Sequence, residues 1–506
     1  MASREAENEE EKSVTITHEL IEQDPVEYRD EALTGLKNLG NTCFMNASLQ
    51  AIGSLAFLRN KTMCKENLDI IKEKLSKKGV EFERGEFLSA ELLFYLANIK
   101  DSNPAIIINL SKFYRSFFKK FLELNPSAQA YGQEDSQECL QLIIDNVMEG
   151  CGFPVEMKLH PDKYIKLYKK ECVTLEKEMK DRHALMKKEF EDKTIDKDTF
   201  KDKFLTLEKE FKQAKYALIE KYKKWYLNYE AQKVWIKFCS DNYSIFKEHF
   251  YGNEYSRMTC PNCGYQSHTF QTFLMLSLEI PTKDKDGDEI PRSEKIHLKD
   301  CLKHYSMIEE KIDWRCSNCC KNVEGSKRLT VWKLPPVLIL HLKRFGAKKH
   351  RGSKKIHNPV ISPEEMTFGE VFDADVAEVD MRKYRLVSTI NHSGSIGGGH
   401  YTANVMNVHA IDKKPRWYLM NDTRVNCYRE GQVDNDESYI LFYVRQDIPL
   451  YDLSEKDSCM YCGTSVTKKP PTYKKDGMKL SWSNVRQTDD GKLYFESCKP
   501  CKPCKP

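Results

Sequence analysis

The chain has 506 residues, with 80 lysines and arginines against 76 aspartates and glutamates, and is 40% hydrophobic and 11% aromatic. That length exceeds one compact core and implies two to four units, while a net charge of +4 argues against both a nucleic-acid coat and a membrane-surface protein. No run approaches the roughly 18 apolar residues of a membrane span. The acidic N-terminus is the opposite of a secretory signal, so the 18 cysteines are expected as reduced thiols, metal ligands or a nucleophile in the cytoplasm or nucleus.

Residues 1–30 are acidic and polar, and disorder is expected there. The next stretch, GLKNLGNTCFMNASLQ at 35–50, holds a single thiol, Cys43, where a glycine-bearing turn meets a helix. Met45, Leu49 and Ile52 give that helix an apolar face, and Thr42 or Asn41 is its expected N-cap. A thiol in a first helical turn lies against unpaired N–H groups, which favours the thiolate. Asn38 offers a side-chain amide that could donate to an oxyanion. A buried structural cysteine is the competing reading of Cys43, unless a histidine base arrives from elsewhere. Amphipathic segments at 86–99 and 106–124 follow, and YGQEDSQECLQLIIDNVME at 131–149 reads as a loop feeding a helix.

From Asp162 to Tyr251 there is neither glycine nor proline. Ile165, Tyr168, Cys172, Leu175, Met179 and Met186 recur at threes and fours, as do Phe200, Phe204, Leu207, Phe211, Ala214, Leu218 and Trp225. Two such arms around EDKTIDKDT predict an antiparallel, coiled-coil-like helical hairpin inserted at 156–235. Either it binds a protein partner or it is a solvated insertion without a specific role.

Beyond it the chain turns β-rich. Cys260-x-x-Cys263 and Cys316-x-x-Cys319, within 253–330, have the spacing of a closed, four-cysteine structural zinc site, with Cys320 an alternative fourth ligand. VLIL in RLTVWKLPPVLILHLKRF, then YRLVSTIN, GHYTANVMN, RWYLMND and SYILFYV, read as strands, the last four as successive members of one antiparallel sheet. The basic run KKHRGSKK at 348–355 reads as an exposed loop or a nuclear import signal. His400 stands behind three glycines at the start of a strand, with Tyr401 facing away from it and Asn421-Asp422 one strand over. An amide or carboxylate there would fix the imidazole of a Cys–His hydrolase, and the chain order Cys, His, Asn is that of papain-like proteases.

GLKNLGNTCFMNASLQ, YGQEDSQEC, CPNC…CSNC, LPPVLILHLKRF, GGGHYTANV and WYLMND…SYILFY together resemble the ubiquitin-specific proteases, papain-like deubiquitinating enzymes, from about Thr34 to Tyr443. The resemblance implies an α+β fold with palm, thumb and zinc-bearing fingers over 34–446, interrupted by the helical insertion. It implies hydrolysis of the bond at the C-terminal glycine of ubiquitin, with ubiquitin and ubiquitinated proteins as partners. By the same resemblance Cys43 is the nucleophile, His400 the general base and Asn38 half of the oxyanion hole. Asn421 takes the third triad position, with Asp422 either sharing that role or polarising the oxyanion site. Asp135, flanked by Gln133 and Gln137, would grip an arginine of the ubiquitin tail, or cap the following helix, or both.

Two other readings keep the fold: a non-catalytic ubiquitin-binding scaffold, which would lack one of the three catalytic positions filled here, and the same chemistry on a ubiquitin-like modifier. Nucleic-acid binding through the cysteine pairs is disfavoured by the small net charge. The segment 456–506 carries Cys459, Cys462, Cys498, Cys501 and Cys504, and reads either as a small zinc ribbon or as a low-complexity tail.

Overall fold

The computed structural model describes residues 33–448 except 63–64, 100–106, 285, 346–354, 371–381, 396–397, 409–413 and 432, and outside that span only the strands Ser13–Thr15, Val485–Gln487 and Leu493–Phe495. Apart from those strands, the segment 1–30 and the cysteine-rich segment 456–506 lie outside the described residues. Among the described residues no helix is long and apolar enough to cross a membrane.

The helical half is built around Cys43–Gly53, buried at every position. Its apolar residues Met45, Leu49 and Ile52 enter the main core with Leu92, Phe94, Phe117 and Ile143. Its polar residues are buried too: Ser48 Oγ donates to Phe44 O one turn back at 2.8 Å and, more weakly, to Ser136 O of a neighbouring helix at 3.3 Å, and Gln50 Nε2 donates to Thr34 O at 2.7 Å. The helix is thus central rather than amphipathic, which is possible because most of its buried polar groups find partners, Asn46 Oδ1 excepted. Helices Leu88–Asn98, Ser111–Leu124 and Ser136–Cys151 surround it.

The expected amphipathic segment 106–124 divides. Ile107–Asn109 is a strand, parallel to Gly35–Leu36, and the helix starts only at Ser111. Consecutive isoleucines are stiff at χ1 and fit a pleated edge better than a first helical turn.

The second half is an eight-stranded sheet. Its main path runs Arg424–Cys427, Pro415–Asn421, Gly398–Val408, Lys383–Ser395, Ser438–Arg445, Val337–Leu342, Met275–Leu278. Sequence order is not spatial order: Ser438–Arg445 lies on the far side of Lys383–Ser395 from Pro415–Asn421. The sheet ends in a parallel pair, Val337–Leu342 with Met275–Leu278. One face packs on the helices through Tyr401, Ala403 and Val405, and the other carries a second core with Leu338, Leu340 and Tyr443.

A separate four-stranded antiparallel sheet, ordered Gln266–Phe273, Gly252–Thr259, Asn322–Lys333, Ile308–Arg315, forms the fingers. The insertion is three helices rather than two arms. Lys163–Glu191 and Lys197–Lys221 form the hairpin, and Lys223–Ser240 continues after a break at Tyr222. The predicted spacing residues are those turned inward: Ile165 and Leu207 are buried, and Tyr168, Cys172, Leu175, Met179, Phe200, Phe204, Phe211 and Leu218 half-buried. Glu171 accepts from Lys221 and from Tyr222 Oη. The third helix lays Leu227 and Ala231 against Tyr255 and Phe270 of the finger sheet. The hairpin touches the finger tip, where Tyr216 packs on Tyr265 at 5.0 Å between ring centroids.

Candidate active site

Gly40 (φ 106°) and Asn41 (φ 50°) turn the chain sharply before Cys43, conformations that favour glycine and asparagine. Thr42 takes the N-cap position but does not cap with its side chain. Its Oγ1 faces back, accepting from Leu39 N at 2.9 Å and donating to Asn38 Oδ1 at 3.3 Å. Cys43 is thereby the first helical residue, 3% exposed.

His400 comes from Gly398–Val408 and Asn421 from the end of the neighbouring strand Pro415–Asn421. His400 Nε2 donates to Asn421 Oδ1 at 2.8 Å, and the ring also hydrogen-bonds Cys43, leaving Nδ1 for the thiol. The imidazole pKa is raised to about 9, first by the Cys43 hydrogen bond and then by Asn421 and the charge of Asp422, against the opposing effect of burial. Cys43, His400 and Asn421 therefore meet as one hydrogen-bonded chain. Tyr401 turns to the opposite face, into the helical core, as strand alternation requires.

Asp422, in left-handed backbone (φ 48°), does not bond the imidazole. Its Oδ2 accepts from Asn38 Nδ2 at 2.9 Å and its Oδ1 from Asn46 Nδ2 at 2.8 Å. Asn38 Oδ1 in turn accepts from Gly40 N at 3.0 Å and Thr42 N at 3.1 Å. These bonds fix the orientation of the Asn38 amide and leave one of its two N–H groups uncommitted by them. Leu36 N donates to Asp422 O at 2.8 Å, tying the segment before Cys43 to the turn that follows Asn421. Asn46, three residues after Cys43, was not singled out by sequence; its place one helical turn on, facing the same side, was the available signal.

Asp135 is the N-cap of Ser136–Cys151: Oδ1 accepts from Gln137 N at 2.7 Å, while Oδ2 accepts from Tyr439 Oη at 2.7 Å. Burial pushes its pKa up, the two hydrogen bonds opposing. Burial also raises Glu134 and Glu138, each further raised by neighbouring carboxylates. Gln137 enters this network through its backbone N–H, and Gln133 reaches across to the His400 strand, its Nε2 donating to Gly399 O at 2.9 Å.

Lys355, the last residue of the basic run, is no exposed loop cation. It is 8% exposed and donates to His392 O at 2.5 Å and Gly394 O at 3.2 Å, beneath the hairpin carrying His400. The rest of the run lies outside the described residues apart from its end.

At the finger tip, the Sγ atoms of Cys260, Cys263, Cys316 and Cys319 lie within 4.8 Å of one another, with Cys263–Cys316 at 3.7 Å and Cys260–Cys319 at 3.9 Å. Four thiolates at zinc distance on tetrahedron corners are about 3.8 Å apart, so the donor set fits a structural zinc ion. A backbone N–H from Lys321 lowers the Cys319 pKa to about 6. Cys320 (φ 57°) occupies the turn position that Gly264 (φ 71°) holds in the other knuckle, and its thiol points outward to Ser317 O.

The sequence model of the family described as ubiquitin carboxyl-terminal hydrolase matches residues 34–443. The chain is 26% identical over 458 residues to a protein named as a probable ubiquitin carboxyl-terminal hydrolase of Acanthamoeba polyphaga mimivirus, covering 82% of this chain and 91% of that protein. It is 29% identical over 414 residues to ubiquitin carboxyl-terminal hydrolase 21 of Homo sapiens, covering 81% of this chain and 61% of that relative. Among solved structures it is similar to a yeast SAGA DUBm (TM-score 0.52, 19% identity, 83% of this chain and 70% of that chain). It is also similar to the SAGA Ubp8/Sgf11/Sus1/Sgf73 DUB module bound to ubiquitin aldehyde (TM-score 0.51, 18% identity, 85% and 73%). At such identities the structural likeness shows a shared fold. With the family match spanning residues 34–443, the chain belongs to the ubiquitin carboxyl-terminal hydrolases.

Proposed function

We infer that this chain is a thiol-dependent deubiquitinase that hydrolyses the isopeptide or peptide bond at the C-terminal glycine of ubiquitin. The observation that carries the reading is the convergence of Cys43, His400 and Asn421: a thiol at a helix start, an imidazole set against it, and an amide that holds the ring at 2.8 Å. Cys43 thiolate attacks the terminal carbonyl, forming the S–C bond and placing negative charge on oxygen. Asn38, aimed by Asp422, and the Cys43 N–H stabilise that oxyanion. His400 gives its proton to the leaving amine, and water, deprotonated by the same ring, then releases the acyl group. Asn421 holds the ring and its tautomer.

Asp135 supports tail recognition. It is a carboxylate whose burial disfavours its charge, with Glu134 and Glu138 beside it, and among the described residues no lysine or arginine pairs with it. An arginine of the ubiquitin tail would relieve that cost while the helix cap stays in place. Gln133 and Gln137 flank it. Zinc, held by Cys260, Cys263, Cys316 and Cys319, would fix the finger tip in a closed structural site. A free nucleophilic thiol and a four-thiolate cluster both suit a reducing compartment, cytoplasm or nucleus, and the helical hairpin is a candidate partner-binding arm.

The test is hydrolysis of a fluorogenic ubiquitin C-terminal reporter by wild type and Cys43→Ala. The variant should lose turnover while still binding ubiquitin, and ubiquitin bearing a C-terminal electrophile should label wild type at Cys43 alone. Full turnover by the variant would overturn the assignment.

A further inference from the structure

The strand that carries His400 has an open edge. Gly398–Val408 pairs with Lys383–Ser395 from its first residue, but pairing with Pro415–Asn421 on its other side begins only at Ala403. The N–H and C=O of one strand residue point to the same side, and at Gly399 both point to that edge. A side chain meets them there: Gln133 Nε2 donates to Gly399 O at 2.9 Å, and Gly399 N donates to Gln133 Oε1 at 3.3 Å. The carboxamide thus closes the two-bond ring that a neighbouring strand residue would make.

Both partners of this ring are held from behind. A β-carbon at Gly399 would collide with the His392 ring and the Ser393 carbonyl, so the backbone is seated directly on the strand beneath it. Gln133 is anchored on either side, since Asn41 Nδ2 donates to Tyr131 O at 2.9 Å and Tyr439 Oη to Asp135 Oδ2 at 2.7 Å. Residues 131, 133 and 135 therefore reach, in turn, the loop before Cys43, the residue before His400, and the strand next to the His400 hairpin. Glycines have no conformational preference strong enough to hold a catalytic residue by themselves. Asn421 fixes only the far nitrogen of the ring, and a misplacement of about 1 Å at a reacting group can cost a hundredfold in rate.

We propose that Gln133 is a positioning residue: by fastening Gly399 it sets the His400 ring against Cys43 before any substrate arrives. This rests on the Cys43–His400 pairing described above, and it gives Gln133 a task apart from contact with the ubiquitin tail.

The test reads the thiol with a reagent too small to need the ubiquitin site. The pH profile of Cys43 alkylation by iodoacetamide is measured for wild type, Gln133→Leu, Gln133→Glu and His400→Ala, alongside KM and kcat on the ubiquitin reporter. Wild type and His400→Ala supply the two limiting rate profiles. In Gln133→Leu the rate at pH 6 should fall about tenfold, the profile moving toward that of His400→Ala, with kcat falling more than KM rises. Gln133→Glu keeps the acceptor for Gly399 N–H and loses the donor, so it should lie between the two, and it serves if the leucine variant is poorly folded. An unchanged alkylation profile with a raised KM would make Gln133 a tail contact only. An unchanged profile with a lowered KM would make it a latch across the tail's path. Either overturns the proposal. A His400→Ala profile equal to wild type would instead remove the Cys43–His400 pairing itself, and the proposal with it.

Discussion

Cysteine is used twice in this molecule, in opposite ways. At the finger tip four thiols come from two matching local turns, Cys260–Cys263 and Cys316–Cys319, on neighbouring hairpins of one small sheet. At the other site a single thiol gains its chemistry from groups far away in the chain: Asn38 lies 384 positions from Asp422 and Asn46 lies 376 from it. The first arrangement tolerates isolation because local ligand spacing defines it. The second exists only if two halves of the fold dock correctly, and amides and carboxylates across the seam set that docking. The contrast predicts that damage to the fingers changes how substrate is held, and damage to the seam changes the chemistry.

The largest effect within the seam should come from Asp422→Ala. Its carboxylate accepts from two amides, and charge-assisted bonds are roughly twice as strong as neutral ones. Without it the Asn38 amide loses its aim, so kcat should fall by about a hundredfold, the cost of losing one oxyanion donor. Asn421→Ala removes one hydrogen bond to the imidazole, against the two lost with Asp422, and should cost about tenfold. Steady-state kinetics on the ubiquitin reporter rank the two. A larger loss for Asn421 would return the leading role to the imidazole's own partner and leave Asp422 as a structural strut.

Metal removal probes the other side of the contrast. Chelation should loosen both knuckles, make the four clustered thiols titratable and raise KM about tenfold, because structural zinc supplies folding energy outright. The alkylation rate of Cys43 should not change. If chelation slows alkylation as well, the two sites are coupled and the contrast fails. The hairpin, whose Tyr216 packs on Tyr265, would be the route to examine.

What sequence made legible divides along the same line. Features with local period or spacing were readable: the helix after Gly40-Asn41-Thr42, the inward residues of Lys163–Glu191 and Lys197–Lys221, and the two cysteine pairs. Cys43, His400 and Asn421 were readable through motif resemblance, since nothing local joins them. Features that depend on meeting a distant segment were missed or misplaced. Lys355 looked like part of a solvated run because its carbonyl partners, at His392 and Gly394, are known only once the sheet forms. Ser438–Arg445 looked like the next strand in line, yet it pairs with Lys383–Ser395 and Val337–Leu342. The break at Tyr222 carries neither glycine nor proline; it falls where the chain leaves the hairpin to pack on Tyr255 and Phe270.

A smaller and graded effect concerns pH. The His400 pKa is raised in the folded protein to about 9, above the roughly 6.5 of a free imidazole. A raised folded pKa gives stability that is fully present below about 6.5 and is lost as pH climbs through about 9. The melting-temperature difference between wild type and His400→Ala should therefore shrink over that window. Turnover of isopeptide substrates, which need a protonated leaving amine, should decline as pH passes 9. A constant difference from pH 6 to 10 would mean that the proton is not shared with Cys43.

The smallest effect tests the symmetry of the knuckles themselves. Gly264 and Cys320 each follow the second cysteine of a pair, each in left-handed backbone at φ 71° and 57°. Each also closes its turn on the first cysteine: Gly264 N donates to Cys260 O at 2.9 Å and Cys320 N to Cys316 O at 2.8 Å. For a residue with a β-carbon that conformation costs roughly 1–2 kcal/mol, and for glycine almost nothing. Cys320→Gly should accordingly keep the full zinc stoichiometry and stabilise the fingers by up to about 1 kcal/mol, part of the gain being offset by the greater freedom of glycine in the unfolded chain. Zinc content by absorption spectroscopy and the chelator concentration at half-release measure both quantities. Loss of metal in this variant, with Cys319→Ser retaining it, would exchange the fourth ligand and make the second knuckle a different turn from the first.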